Sequence, residues 1–373
     1  MNFQKLFSRI IQVCLLLILS LFITGTLSAQ SGIQSNSQTP QTIESQLTER
    51  MDWWGDIDGF LNQQARVILE LTNEALDRFP PQLPEPIERR MALLMLDGIL
   101  HDVDAPRRPP VQEFLHYRLK GALSEIENTS VNEGAMIWKL YNHGWVVRTA
   151  TVTIGFDLVR GNLMRVKGFG VANEVLDGIA RQCDVLFISH RHGDHADEWV
   201  VQSFLKQGKP VVAPPEVWDG KPFHSQITHL KREAHTLQSL PIQNGKRELK
   251  VVIYPGHQGS NVQNNVTLVF TPEGMSFSQT GDQSNDGDFA WIDEVGEHHR
   301  VDVLMPNCWT TDIVRLARGF DPELISTGHE NEMGHTIDHR EPNWLTYRRM
   351  RQSTYPLLLM TWGEKFHYKP NEK

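Results

Sequence analysis

DVLFISHRHGDHAD, residues 184–197, joins an apolar run to three histidines and two aspartates that crowd residues 189–197. The apolar half predicts a buried strand, because β-branched and aromatic residues favour strands. Neutral imidazole and carboxylate are ligands that zinc and similar divalent ions accept. Gly193 gives the backbone freedom to turn, so that His190 and His192 can point to one side. The stretch therefore predicts a metal-binding loop after a strand, and a solvated polar loop is the alternative.

The same arrangement recurs along the chain. Five apolar runs each end in an aspartate or a histidine, namely Asp157, His190, His257, Asp282 and His329. In sheets whose faces are covered by helices, ligand sites gather beyond the carboxyl ends of the strands. We therefore expect these side chains to meet at one place.

Two divalent ions are the simpler interpretation of so many ligands. We expect one ion on His190, His192 and His257, a second on Asp194, His195 and His329, and Asp282 as the bridge. Two close cations lower the pKa of a shared water, which gives a hydroxide nucleophile near neutral pH, and they polarise a carbonyl or phosphoryl oxygen. The predicted reaction is hydrolysis of an ester, lactone, amide or phosphodiester. Zinc is expected, although manganese and iron accept the same ligands.

The pattern His190-x-His192-x-Asp194-His195, continued by His257, Asp282 and His329, resembles the HxHxDH signature of the metallo-β-lactamase-fold hydrolases. The resemblance covers about residues 133–373. It implies an α/β fold, a four-layer αββα sandwich with a dinuclear, usually zinc, site at one edge. Asp157 matches the aspartate that in this family supports the site by hydrogen bonds.

Two further segments resemble one branch of that family, the ascorbate-6-phosphate lactonase-like and N-acyl-phosphatidylethanolamine phospholipase D-like proteins. These are Asn142-His143-Gly144 and HENEMGH at residues 329–335. The branch implies a small-molecule or lipid substrate that is cleaved at a lactone, a carboxylic ester or a phosphodiester. Asp194, His143 and His335 are the candidate catalytic residues, because either histidine can bind a substrate oxygen or protonate a leaving group. The alternatives are polar loop residues and, for the whole chain, a non-enzymatic metal- or partner-binding protein on the same fold.

The first 41 residues are expected to lie outside the fold. Lys5 and Arg9 precede an apolar run that ends in small residues at Ala29, which is the layout of a secretory signal peptide over residues 1–29. An exported, periplasmic or secreted protein without a stable membrane span is the expectation. The alternative is an uncleaved membrane anchor, because residues 10–29 approach the roughly 20 residues that cross a bilayer. Residues 30–41 are polar, and we expect them to form a disordered linker.

We expect residues 42–132 to form a helical region that precedes the main domain, residues 133–373. Apolar residues at spacings of three and four predict helices over about 61–79, 87–100 and 111–126, and proline-rich segments end the first two. Trp53 and Trp54 either anchor these helices to the core or line a substrate path. We expect Asp197 to begin a helix rather than to bind metal.

The composition of the 373 residues is that of a globular protein, with a net charge of −9 and no block of basic residues, so we expect no nucleic-acid partner. The oligomeric state stays open. Cys183 and Cys308 are expected to be buried free thiols, although an oxidising compartment permits a disulfide. Five histidines without an ordered pattern are assigned to the surface: His224, His229, His235, His298 and His299.

Overall fold

The computed structural model describes residues 55–161 and 169–370. The predictions for the signal peptide and the linker, and those for Trp53 and Trp54, lie outside the described residues. No helix of the described ranges is long and apolar enough to cross a membrane. Cys183 and Cys308 are buried free thiols, as predicted.

The three predicted N-terminal helices are confirmed. They are α1 (Ile57–Arg78), α2 (Ile87–Leu100) and α3 (Pro109–Asn128). The Asp56 carboxylate accepts a hydrogen bond from the Gly59 amide at 2.8 Å and so begins α1, while Pro109 stands in the first turn of α3, where its missing N–H costs no hydrogen bond.

The first sheet has six strands in the order β12-β1-β2-β3-β4-β5. They are β1 (Ala135–Lys139), β2 (Trp145–Arg148), β3 (Thr153–Phe156), β4 (Val185–Phe187), β5 (Val211–Val212) and β12 (Lys365–Tyr368). β12, β1, β2 and β3 are antiparallel, and β3, β4 and β5 are parallel. The helices α4 (Asn173–Gln182) and α5 (Glu198–Lys206) lie between the parallel strands in sequence.

The second sheet has the order β11-β10-β9-β8-β7-β6. Its strands are β6 (Gln238–Ile242), β7 (Arg247–Gln258), β8 (Val262–Phe270), β9 (Ser276–Gln279), β10 (Val303–Met305) and β11 (Leu324–Ile325). β6 to β9 are antiparallel, and β9, β10 and β11 are parallel. The accompanying helices are α6 (Phe289–Ile292), α7 (Val295–His298), α8 (Ile313–Phe320) and α9 (Asn343–Met350).

Three apolar clusters establish the layers. One unites the inner faces of both sheets, with Phe156 of the first sheet and Phe277 of the second. Another packs α1 to α5 on the outer face of the first sheet, and a third packs α6 and α8 on the outer face of the second, around Tyr254. The order is helix, sheet, sheet, helix, so the predicted four-layer αββα sandwich is confirmed.

Candidate metal centre

The loops after β4, β9 and β11 bring four predicted ligands together. The ligand atoms of Asp194, His195, Asp282 and His329 all lie within 4.8 Å of one another, and all four residues are buried. The first two residues follow a strand of the first sheet and the last two follow strands of the second. Residues that follow strands of both sheets therefore meet in one buried group, which includes Asp282 and His329 of the five strand-end residues.

Asp282 lies at the middle of the group. Its Oδ2 is 3.3 Å from His195 Nε2, 3.6 Å from His329 Nε2 and 3.7 Å from His190 Nε2. One carboxylate thus faces imidazoles from both of the predicted ligand sets.

Asp194 closes the other side of the group. Its Oδ2 lies 3.6 Å from His195 Nε2 and 3.5 Å from His329 Nε2. Gln258 donates a hydrogen bond to Asp282 Oδ2 at 3.1 Å. The carboxylates of Asp194 and Asp282 and the imidazoles of His195 and His329 therefore form one compact set.

The atoms of this set fit a metal ion. The Nε2 atoms of His190, His195 and His329, and Oδ1 of Asp282, are buried and have no hydrogen-bond partner. Buried polar atoms without partners are rare, because losing water without replacement is costly. Metal–ligand bonds of 2.0–2.1 Å in a tetrahedron separate the ligand atoms by about 3.3 Å. The separations around Asp282 Oδ2 are close to that value.

The rings of His190 and His195 both turn Nε2 toward Asp282, and the partners of their Nδ1 atoms fix this orientation. His195 Nδ1 donates to Asp157 Oδ2 at 2.8 Å, because a carboxylate only accepts. The Ser189 hydroxyl donates to Asp157 Oδ2 at 2.7 Å, so it accepts from His190 Nδ1 at 3.0 Å. Both rings therefore carry a proton on Nδ1 and turn Nε2 toward Asp282, the usual orientation of ligating histidines. Asp157 has the hydrogen-bonding role that the family resemblance implied.

Two glycines let the ligand loops approach so closely. A Cβ at Gly281, which has φ +52°, would lie 2.3 Å from the Ser189 Cβ. A Cβ at Gly328 would lie 2.1 Å from the His143 ring. The residues that follow these glycines are Asp282 and His329, so both positions are restricted to glycine by the packing beside the set.

His192 and His257 lie on the solvent side. The His192 ring centroid is 4.7 Å from that of His190, and the ring is partly exposed. The His257 side chain is 37 % exposed, and its Nδ1 donates to Asp288 Oδ1 at 2.8 Å. Asp288 thus fixes the orientation of the His257 ring.

His335 and His143 approach the set from different sides. His335 Nε2 is 3.7 Å from Asp194 Oδ2, its ring stacks on that of His329 at 5.2 Å, and a quarter of its side chain is exposed. His143 is fully buried, its Nε2 contacts the Met305 carbonyl at 3.2 Å, and its ring meets that of His195 edge-on at 6.0 Å. Of the two, only His335 borders both the set and the solvent.

The carboxylates of the set are ionised. Burial by itself raises the pKa of the Asp282 carboxyl, but attraction to His195 and His329 outweighs burial and holds that pKa well below its usual range. Burial likewise opposes the charged form of His329, yet the Asp282 and Asp194 carboxylates raise its pKa to about 10. A metal that binds here must therefore displace protons from imidazoles.

Asp197 begins α5, as predicted. Its carboxylate accepts from the Trp199 amide at 2.9 Å and pairs with Arg160 at 2.8 Å. The sequence did not identify Asp288 as the hydrogen-bond partner of His257. Asp288 follows His257 by 31 residues, and only tertiary structure brings the two together. Asn264 was also missed; its side-chain oxygen accepts from the Asp282 amide at 2.9 Å.

Known proteins resemble this chain in structure. No protein-family model and no curated protein sequence matches it. A novel metallo hydrolase from the hyperthermophilic archaeon Ignicoccus hospitalis is similar at 17 % identity over 63 % of this chain and 99 % of its own, with a TM-score of 0.46. A possible metal-dependent hydrolase from Veillonella parvula has 13 % identity over 63 % and 100 %, with a TM-score of 0.48. An isothiocyanate hydrolase from Delia radicum gut bacteria has 14 % identity over 62 % and 99 %, with a TM-score of 0.45.

Proposed function

We propose that this chain is a metal-dependent hydrolase whose reaction takes place at the set around Asp282. The observation that carries the proposal is the buried group of Nε2 and carboxylate oxygen atoms that have no hydrogen-bond partner. Burying these atoms without a partner costs folding free energy. The same atoms are the donor types that divalent transition metals bind.

Two divalent ions, zinc in the first place, would be held by the residues that the sequence singled out. His190, His192 and His257 would hold one, Asp194, His195 and His329 the other, and Asp282 would be shared. Support for sharing comes from Asp282 Oδ2, which is within 3.7 Å of imidazoles from both groups. When bound, such ions supply a water of lowered pKa and an electrophile for a carbonyl or phosphoryl oxygen.

The remaining work belongs to side chains of this protein. Asp157 and Asp288 hold the Nδ1 protons of His195 and His257, so that these rings keep their orientation. His335 is placed to hydrogen-bond a substrate oxygen or to give a proton to the leaving group, because it borders both the set and the solvent. The Asp194 carboxylate lies beside the His335 ring, with Oδ2 3.7 Å from Nε2.

The substrate class that we propose is a lactone or carboxylic ester, or a phosphodiester, in a small molecule or a lipid. We also propose export, on the layout of residues 1–29. Mass measurement of the mature chain tests the second point, since cleavage after Ala29 leaves Gln30 as the first residue. A mature chain that begins at Met1 would favour the membrane anchor.

The enzyme proposal is tested with chromogenic carboxylic ester, lactone and phosphodiester probes, together with metal analysis. We expect at least one probe to be hydrolysed and two metal ions per chain. Asp282→Asn keeps the size of the side chain but removes its charge, and His192→Ala removes one exposed ligand; both should abolish hydrolysis and lower the metal content.

The matched control is His224→Ala, because the His224 Nε2 contacts the Pro215 carbonyl at 2.9 Å, away from the set. Its activity and metal content should equal those of the wild type. Undiminished hydrolysis by His192→Ala would show the metal mechanism to be wrong. Fewer than two ions with no activity on any probe would favour a non-enzymatic binding protein.

A further inference from the structure

His235 and His298, which the sequence assigned to the surface, come together with Glu294 beside the second sheet. The side-chain ligand atoms of His235, Glu294 and His298 lie within 4.8 Å of one another. His235 Nε2 is 3.7 Å from Glu294 Oε2, and the ring centroids of His235 and His298 are 3.9 Å apart. All three belong to segments that the proposed hydrolytic site does not use.

Local structure explains why these side chains converge. Glu294 directly precedes α7 and His298 is its last residue; the two are four residues apart, so they project from the same side of the turn. His235 comes from the loop before β6 and has a φ of +61°, a left-handed conformation that a residue with a Cβ seldom adopts. The Tyr254 hydroxyl lies 3.4 Å from His235 Nδ1. His235 is thus held with Nε2 toward α7.

The contacts within this group are not those of an ordinary ion pair. A separation of 3.7 Å between His235 Nε2 and the Glu294 carboxylate is too long for a hydrogen bond. A third imidazole stands alongside, since the His299 ring centroid is 6.1 Å from that of His235 and its Nε2 is buried without a hydrogen-bond partner.

We propose that His235, Glu294 and His298 form a second, separate binding site for one divalent transition-metal ion of the Zn²⁺ class. Two imidazoles and one carboxylate are a donor set that zinc accepts, with the fourth position open to water or an external ligand. Mg²⁺ and Ca²⁺ require oxygen ligands and are excluded as preferred occupants.

The site lies on the helix-covered face of the second sheet. The His235 ring meets Tyr254 edge-on at 5.5 Å, and Tyr254 belongs to the apolar cluster beneath α6 and α8. A bound ion joins the loop before β6 to α7, two segments that are distant in sequence. It therefore stabilises the outer layer of the fold without touching the set around Asp282.

The test is zinc stoichiometry after equilibrium dialysis against micromolar free Zn²⁺. We compare the wild type with His298→Ala and Glu294→Gln, two changes of exposed side chains that leave the core intact. Each variant should bind one ion fewer than the wild type. Zn²⁺ should also raise the melting temperature of the wild type more than that of either variant, and excess Mg²⁺ should not displace the ion.

The matched control is again His224→Ala. His224 and His229 form another imidazole pair, 4.9 Å between centroids, but each has a ring nitrogen 2.9 Å from a backbone carbonyl. The control should retain the full zinc content. The zinc measurements are then repeated on the wild type and on each variant with Asp282→Asn added. This second change removes the zinc that is bound around Asp282. Equal zinc content with and without His298→Ala in both backgrounds would overturn this site, whatever the hydrolytic activity proves to be.

Discussion

Replacement of His335 can distinguish a catalytic role of this residue from a structural one. We expect His335→Gln to lower kcat by about 100-fold or more, because the loss of a positioned proton donor typically costs that much. Its metal content should stay at the wild-type level, since Asp282 and the other ligands remain. The measurements are steady-state kinetics and metal analysis on the same preparations.

His143→Gln is the comparison. His143 is fully buried behind the His195 ring, so this change should act on the packing and metal content of the set rather than on kcat alone. A loss of metal in His335→Gln with none in His143→Gln would reverse these two assignments and make His335 a ligand.

The burial of Lys139 should make the stability of the fold depend on pH. Its Nζ is buried, donates to the Asn142 carbonyl and lies 4.5 Å above the Trp145 ring. Burial lowers the pKa of Lys139 from 10.5 to about 8, against the opposing attraction of Glu330. Between pH 8 and pH 10.5 the unfolded chain binds more protons than the folded one. The contribution of Lys139 therefore increases the free energy of unfolding as the pH rises.

The comparison that isolates this effect is wild type against Lys139→Met. From pH 7 to pH 10 the wild type should gain on the order of 2 kcal/mol relative to the variant, as measured by urea unfolding. Lys120→Met, at an exposed lysine, should follow the wild type across the range. A constant difference between wild type and Lys139→Met would show that Lys139 stays charged in the folded protein.

At the scale of elements, α2 holds the segment that carries His335. The Asp97 carboxylate accepts hydrogen bonds from the Asn331 side chain and from the Asn343 and Trp344 amides, each at 2.9 Å. Arg340 donates to the Leu100 carbonyl, at the end of the same helix, at 2.7 Å. The N-terminal helical region is therefore attached directly to the last ligand loop.

Replacement of Asp97 tests this attachment. Asp97→Ala leaves several buried donors without a partner and should lower the free energy of unfolding by about 3 kcal/mol. It should also reduce hydrolysis, because the segment after His329 loses its anchor. Asp104→Ala removes a surface ion pair with Arg107 and should cost less than about 1 kcal/mol. Equal effects of the two changes, seen by urea unfolding and probe hydrolysis, would contradict an anchoring role for α2.

The elements also show what could be predicted from sequence. The three N-terminal helices follow from apolar periodicity, and the strand ends before His190 and Asp282 follow from apolar runs that stop at a histidine or an aspartate. Asp97, Asp288 and the group of His235, Glu294 and His298 could not be found in this way. Their partners are distant in sequence, and only the packing of sheets and helices brings them together.

At the scale of the whole molecule, the N-terminal helices share one core with the first sheet. Leu96 of α2 and Leu115 of α3 are buried in the same cluster as Trp138 and Leu186 of that sheet. Such side chains contribute about 1.5–3 kcal/mol each when fully buried, and a protein of this kind is stable by only about 5–15 kcal/mol. Loss of these helices is therefore expected to remove a large part of the stability of the sandwich.

A chain restricted to residues 133–373 should therefore fail to fold. We expect it to be insoluble or to lack a cooperative thermal transition by circular dichroism, whereas residues 30–373 should unfold cooperatively. Cooperative unfolding of the shorter chain near the midpoint of the longer one would show that the main domain predicted from the sequence is autonomous.

The ligands around Asp282 come from both sheets, and this has a consequence for the order of assembly during synthesis. His190 and His195 leave the ribosome well before Asp282, and His329 follows still later. No partial chain can complete the set, so metal loading under the proposed function is a late event that follows the closing of the two sheets. Under the proposed function a bound ion would link the two sheets, so a chelator should lower the stability of both sheets together rather than that of either sheet alone.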